Sequence, residues 1–72
     1  MNTSELREYF TEQATVLEAE LAKLQGEHAD LKASNPDNTE DLDMLERKIL
    51  LVSLELEDAR ERIFILDAQP TT

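Results

Sequence analysis

Apolar residues recur along this chain at alternating steps of three and four. In the first half they are Phe10, Ala14, Leu17, Leu21, Leu24 and Leu31, with His28 the one polar member of the stripe. In the second half Leu42, Leu45, Ile49, Val52, Leu56, Ala59, Ile63 and Leu66 keep the same stepping with no polar member. An α-helix turns once per 3.6 residues, so such steps put every one of these side chains on a single helix face. Sustained over several turns, they form the heptad pattern of helices that pack side by side. Between the stripes lies Ala33-Ser34-Asn35-Pro36-Asp37-Asn38-Thr39, a run of turn formers and cap formers. The pattern predicts helix one over about 4–32, a loop over about 33–38 and helix two over about 39–68. Pro70 ends the second helix and leaves a short C-terminal tail.

The ends carry their own signals. Thr3 or Ser4 can accept the first free amides of helix one, and Glu5 and Glu8 suit the positive end of its dipole. Helix two opens either with Asn35 as cap and Pro36 at the first helical position, or with Asn38 or Thr39 as cap; Glu40, Asp41 and Asp43 favour that end. Gly26 costs about 1 kcal/mol relative to alanine inside a helix. It lies on the outer side of the heptad, and the stripe continues in register through Leu31, so helix one is read as continuous across it.

Folding the chain back at the loop tests whether the two stripes face each other. Pairing Leu31 with Leu42 brings His28 onto Leu45, Leu24 onto Ile49, Leu21 onto Val52 and Leu17 onto Leu56. The same register sets Ala14 against Ala59, Phe10 against Ile63 and Arg7 against Leu66. Fourteen of these sixteen positions are apolar, whereas a chain that is 40% hydrophobic would supply six or seven, so chance is a poor explanation. Two alanines in one layer let the helices approach closely there, with larger side chains filling the layers on either side. The expected fold is all-α: an antiparallel two-helix hairpin, coiled-coil-like, forming one domain over residues 1–72. Arg7, at the last layer, is expected to lay its stem over Leu66 and its charge near acidic neighbours.

Composition changes the picture in one respect. Two helices from 72 residues cannot enclose a core shielded on all sides. Small scaffolds otherwise gain stability from disulfides, metals or association, and here there is no cysteine and one histidine. Association is the remaining route, and dimerisation into a four-helix bundle is the expected one. The formal charge of −10 disfavours direct nucleic-acid binding and anionic membrane surfaces. With no basic segment leading an apolar run and no stretch of spanning length, the expected location is cytoplasmic. Absence of cysteine fits a reducing compartment.

Candidate chemistry is sparse. Catalysis needs converging groups in a concave, partly dehydrated site, and no nucleophile motif or glycine-rich phosphate loop occurs. Seventeen carboxylates along a rod read as a solvated surface. The run from Asp37 to Asp43 is rich in oxygen ligands but lacks the turn glycine and distal glutamate of a calcium loop, so it is read as helix capping. No enzyme activity, metal or cofactor is therefore expected. His28 is read as a histidine at the wetter end of the hairpin covering Leu45, and Asp43–Arg47 and Asp58–Arg62 as helix-spaced ion pairs.

More telling are the apolar residues outside the stripes. Helix two has Met44, Leu50, Leu51, Leu54 and Ile65 on its reverse side and Phe64 on the flank; helix one has Tyr9 and Val16 beside the stripe and Leu6 at its end. A lone hairpin leaves these wet, and a grouped set of this kind marks an interface. Tyr9, Val16, Met44, Leu50, Leu51, Leu54, Phe64 and Ile65 are the candidate protein-binding residues, for a second copy and for another, unidentified protein. The expected function is that of a non-enzymatic regulator that inhibits or escorts its partner. In size and organisation the chain is similar to phage-encoded inhibitors of host proteins and to secretion co-chaperones, with no motif carrying that likeness. The alternative is an acidic nucleic-acid mimic that blocks a DNA- or RNA-binding protein.

Overall fold

Every helix begins with amides that lack an intrahelical partner. In the computed structural model, which describes residues 2–68, Asn2 takes one of them at the start of α1 (Thr3–Ser34). Its side-chain oxygen accepts from the Glu5 amide at 2.8 Å, and its carbonyl from the Leu6 amide at 3.0 Å. The cap is thus Asn2, in place of the expected Thr3 or Ser4. All three residue types suit the role, and the first to leave helical geometry takes it. α1 runs unbroken through Gly26, which has no positive φ.

Asn35 ends the helix with its amide on the Leu31 carbonyl at 2.7 Å. Pro36 follows it, and a residue before proline is pushed out of the helical region by the pyrrolidine ring. Of the alternatives for the second start, Asn38 is the cap of α2 (Thr39–Ala68). Its carbonyl accepts from the Leu42 amide at 3.1 Å, its Oδ1 from the Asp41 amide at 3.3 Å, and its Nδ2 donates to the Asp41 carboxylate at 2.8 Å. These bonds use oxygens of Asn38 and Asp41 for capping. Pro70 as the stop of α2, and the tail after it, lie outside the described residues.

The two helices pack against each other as an antiparallel hairpin, a rod of 57 × 16 × 14 Å. Every apolar position of both stripes, and His28, is buried or half-buried. Ala14, Leu56 and Ala59 form the centre of the core, with Leu17, Leu21 and Ile63 packed on it, and Leu24 is buried nearer the loop. This is the alanine-on-alanine layer required by the register. No described side chain is fully enclosed, as two helices alone dictate.

One flank of the seam is laced by polar contacts through a single column of α2, in which Glu46, Ser53, Arg60 and Asp67 recur every seventh residue. Glu46 lies 3.2 Å from His28 Nε2, Arg60 donates to Glu18 at 2.9 Å, and Asp67 accepts from Arg7 Nε at 2.6 Å and Nη2 at 3.3 Å. Ser53 is half-buried at the remaining position. Arg7 itself is exposed, and the half-buried side chain at the end of the seam is Leu6, which shares a groove with Leu66. The expectation that Leu6 is wet is thereby corrected. So is the Asp43–Arg47 pair: of the two helix-spaced pairs, Asp58–Arg62 closes at 3.0 Å, whereas Asp43 and Arg47 form no ion pair.

Two outcomes follow. Nothing lies within 4 Å of a methyl group added at Gly26, so Gly26→Ala should stabilise the hairpin by about 1 kcal/mol, read as a higher urea midpoint at constant slope. A lower midpoint would mean that the position is not open. The hydrogen bond from Arg7 holds the Asp67 carboxyl below its ordinary value of 3.8; desolvation opposes it, and the charge of Arg7 adds to it least. A depressed folded-state pKa contributes stability that is present above the unfolded value and lost as pH falls through the folded one. Asp67→Asn should therefore be slightly less stable than the parent near neutrality and equal to it in acid below the folded pKa. A pH series of thermal melts checks the convergence.

Candidate protein-binding surface

All eight side chains singled out as candidate binding residues are exposed, from 49% for Ile65 to 73% for Phe64. Helical spacing does not gather them into one patch. Leu50, Leu51 and Leu54 fall within a turn and a half of α2, on its side away from α1, and Met44 continues the strip two turns earlier beyond Arg47. Phe64 and Ile65 lie more than two turns beyond Leu54, past Glu57, Asp58 and Glu61. In the hairpin register Tyr9 of α1 is level with them. Val16 has Glu12, Gln13, Ala19 and Glu20 as its neighbours three and four residues away, so it stands apart from both groups.

The terminal group is built on aromatic packing. Tyr9 sets its ring edge-on to Phe10, centroids 5.2 Å apart at 74°. Arg62 crosses from α2 with its guanidinium carbon 5.4 Å from the Phe10 ring centre, while its Nε donates to Asp58 at 3.0 Å. It divides two open grooves. One, largely apolar, is lined by Leu6, Phe10, Ile65 and Leu66 together with Arg62. The other, mixed in character, runs past Tyr9, Gln13 and Leu17 to Glu55, Asp58 and Ala59. Phe10 and Arg62 are thus parts of this surface that sequence reasoning assigned elsewhere, to the seam and to an ion pair, and Leu6 belongs to it as a half-buried member. The signal for Arg62 is its spacing of one from the seam residue Ile63, which places it beside the layer containing Phe10.

The polar column and these grooves occupy opposite flanks of the seam. Cation and carboxylate partners cross between helices on one side, whereas on the other the apolar stripe is left partly uncovered. Among the described residues, no three His, Cys, Asp or Glu side chains are placed to hold a metal ion, and no helix is long and apolar enough to cross a membrane. What the surface offers is contact area: aromatic and aliphatic side chains on rigid helices, edged by charge. No family model, curated protein or solved structure matches this chain. The reading of its surface rests on its own geometry.

The distinction between seam and surface has a direct test. Leu24 is 5% exposed and Leu54 is 53% exposed. Leu24→Glu places an unpaired carboxylate in a packed layer and should abolish the helical circular-dichroism signal, because a buried charge without a partner costs several kcal/mol, comparable to the whole stability of so small a domain. Leu54→Glu should leave that signal largely intact. Equal loss of helicity in the two variants would show that the core has been misassigned.

Proposed function

We propose that this chain is a non-enzymatic regulator that associates with itself and binds another protein through its apolar helix faces. One observation carries the reading: among the described residues, eight large apolar side chains are exposed to solvent and four residues are buried, two of them alanines. Grouped apolar exposure of that extent on a small rod is the signature of surfaces completed by another chain. The helices supply the mode, since leucine and aromatic anchors spaced a turn apart fit a groove or another helix. Covering a partner's working surface inhibits it, and covering a partner's own exposed apolar helix escorts it; both uses need the same faces. A cytoplasmic location belongs to this proposal.

The second reading, an acidic mimic of nucleic acid, draws on the net charge of −10 along a 57 Å rod. That is one net charge per 5.7 Å of length, against about one per 1.7 Å in duplex DNA. A mimic at roughly a third of the density, with several carboxylates already committed to arginine, is the weaker reading.

Photo-crosslinking in an extract of the source cells tests the proposal. A photoreactive phenylalanine at position 54 or 64 should yield a defined adduct with another protein. The adduct should persist at 1 M salt, where the screening length falls to about 3 Å, and disappear when Leu51→Glu is combined with the probe at position 54. An adduct formed only from a probe on an acidic face such as Glu12, and lost in salt, would favour the mimic. No protein adduct from either apolar site would remove the reading.

A further inference from the structure

The outer side of α2 carries a second heptad seam of its own. Met44, Arg47, Leu51, Leu54, Asp58 and Glu61 step by three and four along the side turned away from α1, and all six are exposed. The two leucines sit at its centre. A basic residue lies one turn before them and acidic residues lie one and two turns after. A strip with opposite charge at its two ends matches its own reverse. Among the described residues, moreover, Arg47 has no ion-pair partner, although Asp43 lies four residues before it, whereas Arg7, Arg60 and Arg62 are all paired.

Area points the same way. A compact monomer of 8.2 kDa exposes about 4,500 Å², whereas this chain exposes 5579 Å². The excess of about 1,000 Å², spread along the rod, leaves enough uncovered surface for the roughly 800 Å² that each partner contributes to a standard interface.

We infer that the outer face of α2 is the interface with a second copy of this chain, its α2 running antiparallel about a two-fold axis between positions 52 and 53. This rests on the self-association included in the proposed function and gives it a face, a direction and a register. Leu51 then packs on Leu54 of the second copy and Leu54 on its Leu51, as a two-fold contact requires. Arg47 meets Asp58 of the second copy at each end, and Met44 lies across from its Glu61. A parallel arrangement sets Arg47 on Arg47 and Asp58 on Asp58, like charge on like at both ends. Ile65 continues the same stepping and falls level with Glu40 of the second copy, whereas Tyr9 and Phe64 lie off this strip and stay available to a different protein.

The test is a charge exchange on the full chain at low salt, followed by sedimentation equilibrium. The parent should be a dimer. Arg47→Glu and Asp58→Arg should each raise the dissociation constant about tenfold, since each creates two repulsive contacts by symmetry. The two together should return it to within about threefold of the parent, because the pair is re-formed with its signs exchanged. Asp58 also holds Arg62 within the hairpin, so helicity is followed in parallel. If Asp58→Arg loses helicity, Asp58→Asn replaces it and should still weaken the dimer. A monomer at all concentrations overturns the inference. So does a dimer whose constant ignores these changes, or one that the exchange fails to restore in two folded variants. A monomeric chain that still crosslinks another protein from position 54 would sink this interface while leaving the regulator reading in place. A dimer that gives no adduct with a different protein from position 54 or from position 64 would do the reverse.

Discussion

The spacing between the two helices is set where Ala14 meets Ala59. Both alanines are nearly enclosed, and the residues around them, Leu56, Leu17, Leu21 and Ile63, take up the volume that the short side chains leave. Close-packed interiors tolerate little change in volume, so a larger side chain in this layer pushes the helices apart and a smaller one beside it opens a void. Register follows from the same layer. Moving one helix along the other by a single residue turns a different face to the seam and separates the alanines. It also parts Arg7 from Asp67, Glu18 from Arg60 and His28 from Glu46 together.

Those three cross-helix contacts explain why the hairpin has two unlike flanks. All of them use one seven-residue column of α2, and all lie where at least one partner is well exposed to water, so each adds little stability alone. Their greater effect is on geometry. They occupy the flank on which they lie and leave the other to Phe10, Arg62 and the two open grooves. A protein approaching from the grooved flank meets aromatic rings and aliphatic edges; one approaching from the column meets side chains that already have partners.

The fold was largely legible because a heptad stripe is a direct statement about which side chains face each other. Every apolar stripe residue from Phe10 to Leu66 is buried or half-buried, and the exposed apolar residues, Tyr9 to Ile65, are those that fall off the stripe. The misreadings have physical causes. A straight helix drifts about 20° per heptad against a strict seven-residue repeat, which carries Leu6 towards the seam and Arg7 away from it; of the two neighbours, the apolar one is half-buried and the charged one remains in water. Asn2, Thr3 and Ser4 are adjacent cap formers, so residue type alone does not choose among them. Asp43 and Arg47 have the right spacing for a pair, but an exposed pair gains too little to hold two long side chains in one geometry. That Tyr9 and Phe10 join Phe64 and Ile65 in one terminal group depends on the register between helices, and was not visible in either helix taken by itself.

The link over residues 35–38 also imposes a sequence of events. Leu31 and Leu42 are eleven residues apart along the chain, whereas Phe10 and Ile63 are fifty-three apart. Closing the longer span directly costs about 1.4 kcal/mol more in chain entropy than closing the shorter one, but once the layers nearest the link have formed, each further layer joins an adjacent one. Assembly therefore proceeds like a zipper from the link outwards, with mostly short-range steps that favour rapid folding. By the same ordering the layer of Phe10 and Ile63 is held to its partner chiefly by the layers already closed between it and the link, so the terminal groove inherits its geometry from the seam beneath the strip around Leu51.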